Sequence, residues 1–274
     1  MFLTDKAYIF CRIMVPLGQC VGRAYNNQRI VYGLLFDSAW ATLKSFCLND
    51  KALGGIPGAI AVLHTNSREL NFHPHIHLLL PGATIKKAKR LWSTKKGKYL
   101  FDYRALAKVF RGKFLEAFTC SNLKSPSNYT KKWIANCKNV GKGRKALLYL
   151  SQYLYRGVIS EKNILTCENG VVTFRYKNSK TNKYQNRTLS AVSFLWLVFQ
   201  HVLPRGFRRT RNYGFLHPNS KNLIKILQWI FRLDTSYGIE VEIKPRKKMI
   251  CSCCGALMEI IKTKLVCIKI SAPT

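Results

Sequence analysis

The sequence predicts an α+β fold, with a central antiparallel sheet, helices packed on it and a basic helical C-terminal part. Two β-like runs at 59–65 (AIAVLHT) and 73–80 (HPHIHLLL) are separated by a short polar stretch, the arrangement of neighbouring antiparallel strands. Stretches before and after them carry apolar residues at three-and-four spacing, as sheet-covering helices do. The second run alternates His73, His75 and His77 with Ile76, Leu78 and Leu80. Successive strand side chains point to opposite faces, so one face of this strand suits a core and the other carries imidazoles.

In chain order, 27–46 repeats Ile30, Leu34, Leu35, Ala39, Leu43 and Phe46 on one helical side. GGIPG breaks that helix, 59–65 reads as a buried strand, NSREL connects it to 73–80, and Pro81 and Gly82 stop the second strand. KKAKRLWSTKKGK reads as a basic loop, and 103–118 as a helix with Leu106, Phe110 and Leu115 on its apolar side. The span 119–143 is polar, basic and turn-rich, which predicts a loop. KALLYLSQYLYR (145–156) is helical by its Leu147, Leu150 and Leu154 spacing, and ENG centres a hairpin over 163–177. Ser190 caps a helix to 203, PRGFRRTRNYG forms a basic loop, and Asn219 or Ser220 caps a last helix to 233.

The charge narrows the function class. Across 274 residues, 46 Lys and Arg face 12 Asp and Glu, a net +34, while 47% of the residues are hydrophobic. The chain is thus equipped both for a real core and for a polyanionic partner. Its ten cysteines are irregularly spaced, which fits reduced thiols in a cytoplasmic protein better than a disulfide scaffold. The N-terminus lacks the pattern of a signal peptide, and the apolar windows are too short to cross a bilayer.

Two constellations carry chemistry. His75 and His77, two residues apart on a strand, present imidazoles on one side, where they can share a divalent ion. His64 on the neighbouring strand could supply a third ligand, and His73 lies one step further along the same face. Tyr149 and Tyr153 are four residues apart on a helix, roughly 40° apart about its axis, so both phenols can enter one pocket. A neutral phenol is a weak nucleophile towards phosphorus and needs a metal or base nearby. Arg205, Arg208, Arg209 and Arg211, interleaved with Phe207 and Tyr213, suit phosphates and unpaired bases. Cys251, Cys253, Cys254 and Cys267 could contribute to a small structural zinc knuckle.

With GAIAVLHTNSRELNFHPHIHLLLPG, ALAKVFRGKFLEAF, YLSQYLYRGVIS, GVVTFRYK and HVLPRGFRRTRNYG in this order, the chain resembles the two-tyrosine rolling-circle insertion-sequence transposases of the HUH endonuclease class. The resemblance implies His75 and His77 as ligands of Mg²⁺ or Mn²⁺, with His64, also at a matching position, as the first choice of third ligand and Gln152 beside the tyrosines as the second, and Tyr149 and Tyr153 as the catalytic tyrosines. It further implies nicking and joining of single-stranded DNA at transposon ends through a 5′-phosphotyrosine bond. The family pattern also includes a zinc-binding N-terminal region and a first strand before the helix at Asn27. Neither is legible in residues 1–26, which read as a divergent or truncated segment. By this reading 27–189 form the nuclease domain, 190–245 a basic helical DNA-binding region and 246–274 a cysteine-containing tail. The competing expectation is an inactive remnant that binds DNA without assembling the site.

Overall fold

The computed structural model describes residues 7–14, 26–86, 91–95, 100–121, 123, 133–142, 145–146, 148–149, 151, 157–178, 181–223, 225, 249–250, 253–254 and 256–258. Strand β1 (Ala7–Met14) leads to helix α1 (Gln28–Asn49), then to β2 (Ile56–Asn66), β3 (Phe72–Pro81), β4 (Ala83–Lys86) and β5 (Leu91–Thr94). Helix α2 (Tyr103–Cys120) and β6 (Ile134–Lys142) follow. Strands β7 (Ile164–Glu168), β8 (Val171–Lys177) and β9 (Tyr184–Ser190) precede α3 (Ala191–Phe199) and β10 (Thr210–Gly214), and β11 (Met249–Ile250) and β12 (Leu257–Met258) form a small pair.

The main sheet is antiparallel in the order β5-β4-β2-β3-β1-β6. β10 lies along the free side of β2, from Thr210 opposite Val62 to Gly214 opposite Gly58, while β4 pairs only with Ile56 and Pro57. Gly214 ends β10 at φ +61°, where a Cβ would collide with the Pro57 carbonyl; glycine alone fits that left-handed position without strain.

One face of the sheet is a core. Ile9, Cys11 and Ile13 of β1, Ala61 and Leu63 of β2, and Ile76, Leu78 and Leu80 of β3 pack against α1 and α2. Helix α1 buries Val31, Leu35, Phe36, Ala39 and Leu43, and α2 buries Leu106, Phe110, Phe114 and Phe118. Asp102 caps α2 by accepting from the Arg104 N–H at 2.9 Å, which satisfies one of the helix's orphan donors. The opposite face holds a smaller cluster in which Tyr8, Phe10, Val62 and Leu79 pack with Ala146. Because β2 and β3 are covered on both sides, nearly every residue along them is buried.

The hairpin expected at ENG is β7–β8, with Asn169 at φ +50° and Gly170 at φ +74° supplying its turn. β9 extends it to three strands, and Ser190 caps α3 through the Ser193 N–H. This small sheet docks on the β2–β3 connection: the Arg187 guanidinium donates to the Glu69 carbonyl at 2.7 Å and to Asn71 Oδ1 at 3.1 Å.

Several expectations are corrected. A first strand does precede the helix: β1 is inside the sheet, between β3 and β6. The span expected as a loop over 119–143 contains β6, whose Ala135 and Cys137 face inwards while Asn136 and Lys138 are exposed. β4 and β5 occupy part of the predicted loop after β3, and PRGFRRTRNYG contains β10 rather than being loop throughout. The helix capped by Ser190 ends at Phe199, not at 203. Cys11 and Cys137, paired across β1–β6 with Cα atoms 4.2 Å apart, are joined in a disulfide, contrary to the expectation of reduced thiols there. Cys47, Cys120, Cys167, Cys253 and Cys254 are free. Among the described residues no helix is long and apolar enough to cross a membrane.

Candidate metal and tyrosine site

The site is built on the face of the sheet opposite α1 and α2. His64 on β2 stands directly opposite His75 on β3, and His77 opposite Val62. All three imidazoles are buried, and their candidate ligand atoms lie within 4.8 Å of one another. Ring centroids are 4.5 Å apart for His64 and His77, 4.7 Å for His75 and His77, and 5.5 Å for His64 and His75. Among the described residues this is the cluster able to hold a metal.

His75 is oriented by its own strand. Its Nδ1 lies 2.7 Å from the His73 carbonyl oxygen; an N–H there donates to the carbonyl and leaves the Nε2 lone pair to face an ion, the arrangement that prepares a histidine ligand. Burial drives the His75 imidazole down to about 3, the carbonyl bond opposes that shift, and the charges of His64, His73 and Arg12 lower it further. His75 is therefore neutral, and able to coordinate, throughout the physiological range. The three-imidazole donor set fits a divalent ion of borderline character.

Tyr149 reaches the same face from the helical segment that carries the buried Ala146. Its ring meets Phe10 edge-on at 4.9 Å and 78°, and Phe10 in turn meets His77 at 5.0 Å. The Lys138 ammonium lies 4.7 Å from the centroid of the Tyr149 ring. A cleft of about 700 Å³ joins these groups, lined by the histidines, Tyr149, Phe10, Arg12, Lys138 and Arg209 among others. Arg12, Arg68, Lys138 and Arg209 outnumber Glu69 around it, so its walls favour an anion.

The other predicted site residues divide. Arg209 flanks the site: its Nε donates to the Leu63 carbonyl at 3.0 Å, and its own carbonyl accepts from the Leu63 N–H at 2.9 Å. Arg205 and Arg208 are exposed. Phe207 packs on Tyr32 and Phe36, Tyr213 stacks on Trp40 at 5.0 Å and 17°, and Arg211 lies over Phe36 and 3.6 Å from Asp37. Burial pushes the Tyr213 phenol up to about 12. Those three side chains are engaged with α1, away from the histidines. Tyr153, Gln152, Cys251 and Cys267 lie outside the described residues, while Cys253 and Cys254 are exposed in the turn between β11 and β12.

Sequence reasoning missed Phe10 and Arg12 on β1 and Asn136 and Lys138 on β6. The signal was the alternation in AYIFCRIM, which sets Tyr8, Phe10 and Arg12 against Ile9, Cys11 and Ile13.

Comparison with known proteins places the chain in a family. The Y2_Tnp family model, described as "Putative transposase", matches residues 58–223, more than half of the chain and the span that holds the three histidines, Tyr149 and β10. The chain is 32% identical over 216 residues to "Putative transposase y4qJ" of Sinorhizobium fredii (strain NBRC 101917 / NGR234), covering 70% of this chain and 54% of that protein. It is 30% identical over 180 residues to "Transposase for insertion sequence element IS801" of Pseudomonas savastanoi pv. phaseolicola, covering 58% of this chain and 43% of that one. The chain thus spans about half the length of the curated relatives it matches. No solved structure matches it significantly. With that model matching more than half of its length, the chain belongs to the Y2_Tnp family of transposases.

Proposed function

We propose that this chain nicks and rejoins single-stranded DNA at transposon ends, with Tyr149 as a nucleophile and Tyr153 as the second tyrosine. The observation that carries the reading is the contact of Phe10 with both His77 and Tyr149: a candidate nucleophile and a candidate metal cluster meet on one face of one sheet. In the reaction the Tyr149 oxygen forms a bond to phosphorus and gives up its proton to solvent or a base. The bond from phosphorus to the 3′ oxygen breaks, and that oxygen takes up a proton. The products are a 5′-phosphotyrosine and a free 3′-hydroxyl, and the reverse attack on the phosphotyrosine rejoins a strand without an external energy source.

His64, His75 and His77 would hold the divalent cation, which when bound supplies charge stabilisation at the phosphodiester. Three imidazoles suit Mn²⁺ better than Mg²⁺, whose preference is for oxygen ligands. Arg12 and Arg209 line the cleft with positive charge and serve to bind the DNA backbone, which gives affinity without sequence preference. The exposed Arg205 and Arg208 extend that basic surface. Cys253 and Cys254 remain candidates for a structural zinc together with Cys251 and Cys267.

The test is incubation of the purified chain with end-labelled single-stranded DNA and Mn²⁺, followed by a denaturing gel. The expected result is a covalent adduct that Tyr149→Phe combined with Tyr153→Phe abolishes and His75→Ala reduces severely. DNA binding with no adduct would instead establish the remnant reading. That reading supposes a missing first strand, whereas a strand before the first helix, β1, does pair between β3 and β6.

A further inference from the structure

We propose that Lys138 and Phe10 clamp the Tyr149 ring, with Lys138 as a positioning residue for the nucleophile. This inference rests on the reading of Tyr149 as that nucleophile.

Tyr149 arrives on a helix anchored by Ala146, which is fully buried against Tyr8, Val62 and Leu79. A buried alanine fixes the helix axis but leaves a tyrosine three residues later free to turn about its own side-chain bonds. Phe10 and Lys138 both restrict those torsions. Phe10 meets the ring edge-on at 4.9 Å, and the Lys138 ammonium stands 4.7 Å from its centroid. A cation within about 6 Å of an aromatic face is attracted by the ring's quadrupole.

The two contacts are not independent accidents of packing. Phe10 and Lys138 are direct partners in the β1–β6 ladder, so the backbone sets their separation and the ring is held by one rigid cross-strand pair. Phe10 also touches His77, and the same side chain therefore fixes where the phenol lies relative to the metal ligands. Ordering a nucleophile before substrate arrives removes an entropy cost from the reaction itself. Lys138 is exposed, a position where a lysine is ordinarily free to extend into water.

The test uses the full chain labelled with ¹³C at the tyrosine ε carbons, with the Tyr149 resonance assigned by its loss in Tyr149→Phe. In metal-free protein Lys138→Met is expected to move the Tyr149 resonance, and Lys138→Arg to restore it. With Mn²⁺ and single-stranded DNA, the single-turnover rate of adduct formation is expected to fall roughly fivefold in Lys138→Met and to recover in Lys138→Arg, at unchanged DNA affinity. An unmoved resonance with an unchanged rate overturns the clamp. So does a rate loss that merely follows a loss of DNA affinity, which would make Lys138 a phosphate contact. Phe10→Leu, which removes the other jaw, decides the matter in the same two measurements if Lys138→Met does not fold. A wild-type chain that forms no adduct overturns the nucleophile reading, while the resonance still decides whether the ring is clamped.

Discussion

His64 and His75 stand directly opposite each other across the β2–β3 ladder, with ring centroids 5.5 Å apart and both side chains buried. Two strands thus bring candidate ligands to one point, and the ladder between them holds that geometry. His64→Ala is expected to lower Mn²⁺ affinity about tenfold or more, measured by calorimetry on the folded protein. His73→Ala should change it little, because the carbonyl that accepts from His75 belongs to the backbone.

Arg12 is in register with His77 on one side and with Asn136 on the other. Its guanidinium lines the cleft, where a DNA phosphate would displace counterions to reach it. Arg12→Ala is expected to flatten the dependence of log K on log salt for a single-stranded oligonucleotide by about 0.7. Fluorescence anisotropy over a salt series measures that slope, and Mn²⁺ affinity in the same variant should be retained.

Tyr213 lies in the same basic segment as Arg208, yet the two have different tasks. Stacked on Trp40, Tyr213 joins β10 to α1, and Tyr213→Ala should cost about 2 kcal/mol in urea denaturation. Tyr213→Phe keeps the stack and should keep the stability. Arg208→Ala, at an exposed position, should instead weaken DNA binding and leave the denaturation midpoint in place.

Acid should destabilise the fold before it protonates the carboxylates. Burial depresses His75 from its ordinary 6.5 to about 3 and lowers His73 and His201 in the same direction. Below 6.5 the unfolded chain takes up protons that the folded chain refuses, so stability is full above that pH and is lost as pH falls towards 3. Each such group costs up to about 1.4 kcal/mol per pH unit within its window. Denaturation at pH 7, 6 and 5 should trace the loss, and His201→Gln should make it shallower.

How much of this was legible in the sequence follows from where each signal resides. The β2–β3 pair was readable because its pattern is local: alternating histidines, a short turn and a Pro-Gly stop lie within a few residues of one another. Helices α1 and α2 were readable for the same reason, through their apolar spacing. β6 was not. Ile134–Lys142 reads IANCKNVGK, and its inward residues Ala135 and Cys137 are too small to announce a core strand; its strand character comes from pairing with β1. β10 was hidden by its charge, since TRNYG is a poor strand by composition and owes its conformation to the edge of β2. The histidine pair was therefore legible, with His64 as the first of the candidates for a third ligand, whereas of the groups beside Tyr149, Phe10 lay in the overlooked alternation of β1 and Lys138 on β6, a strand that tertiary pairing defines.

The pairing of β10 with β2 also sets an order of events during synthesis. The histidine hairpin is complete by Pro81, but the strand that covers the outer edge of β2 begins at Thr210. At translation rates of about 5–20 residues per second, that edge waits roughly 6 to 26 seconds for its partner. For that interval the nascent chain presents unpaired backbone donors and acceptors beside His64, a surface other extended chains can join. Late synthesis of β10 thus leaves the site's own strand as an open edge until the C-terminal half of the chain is made.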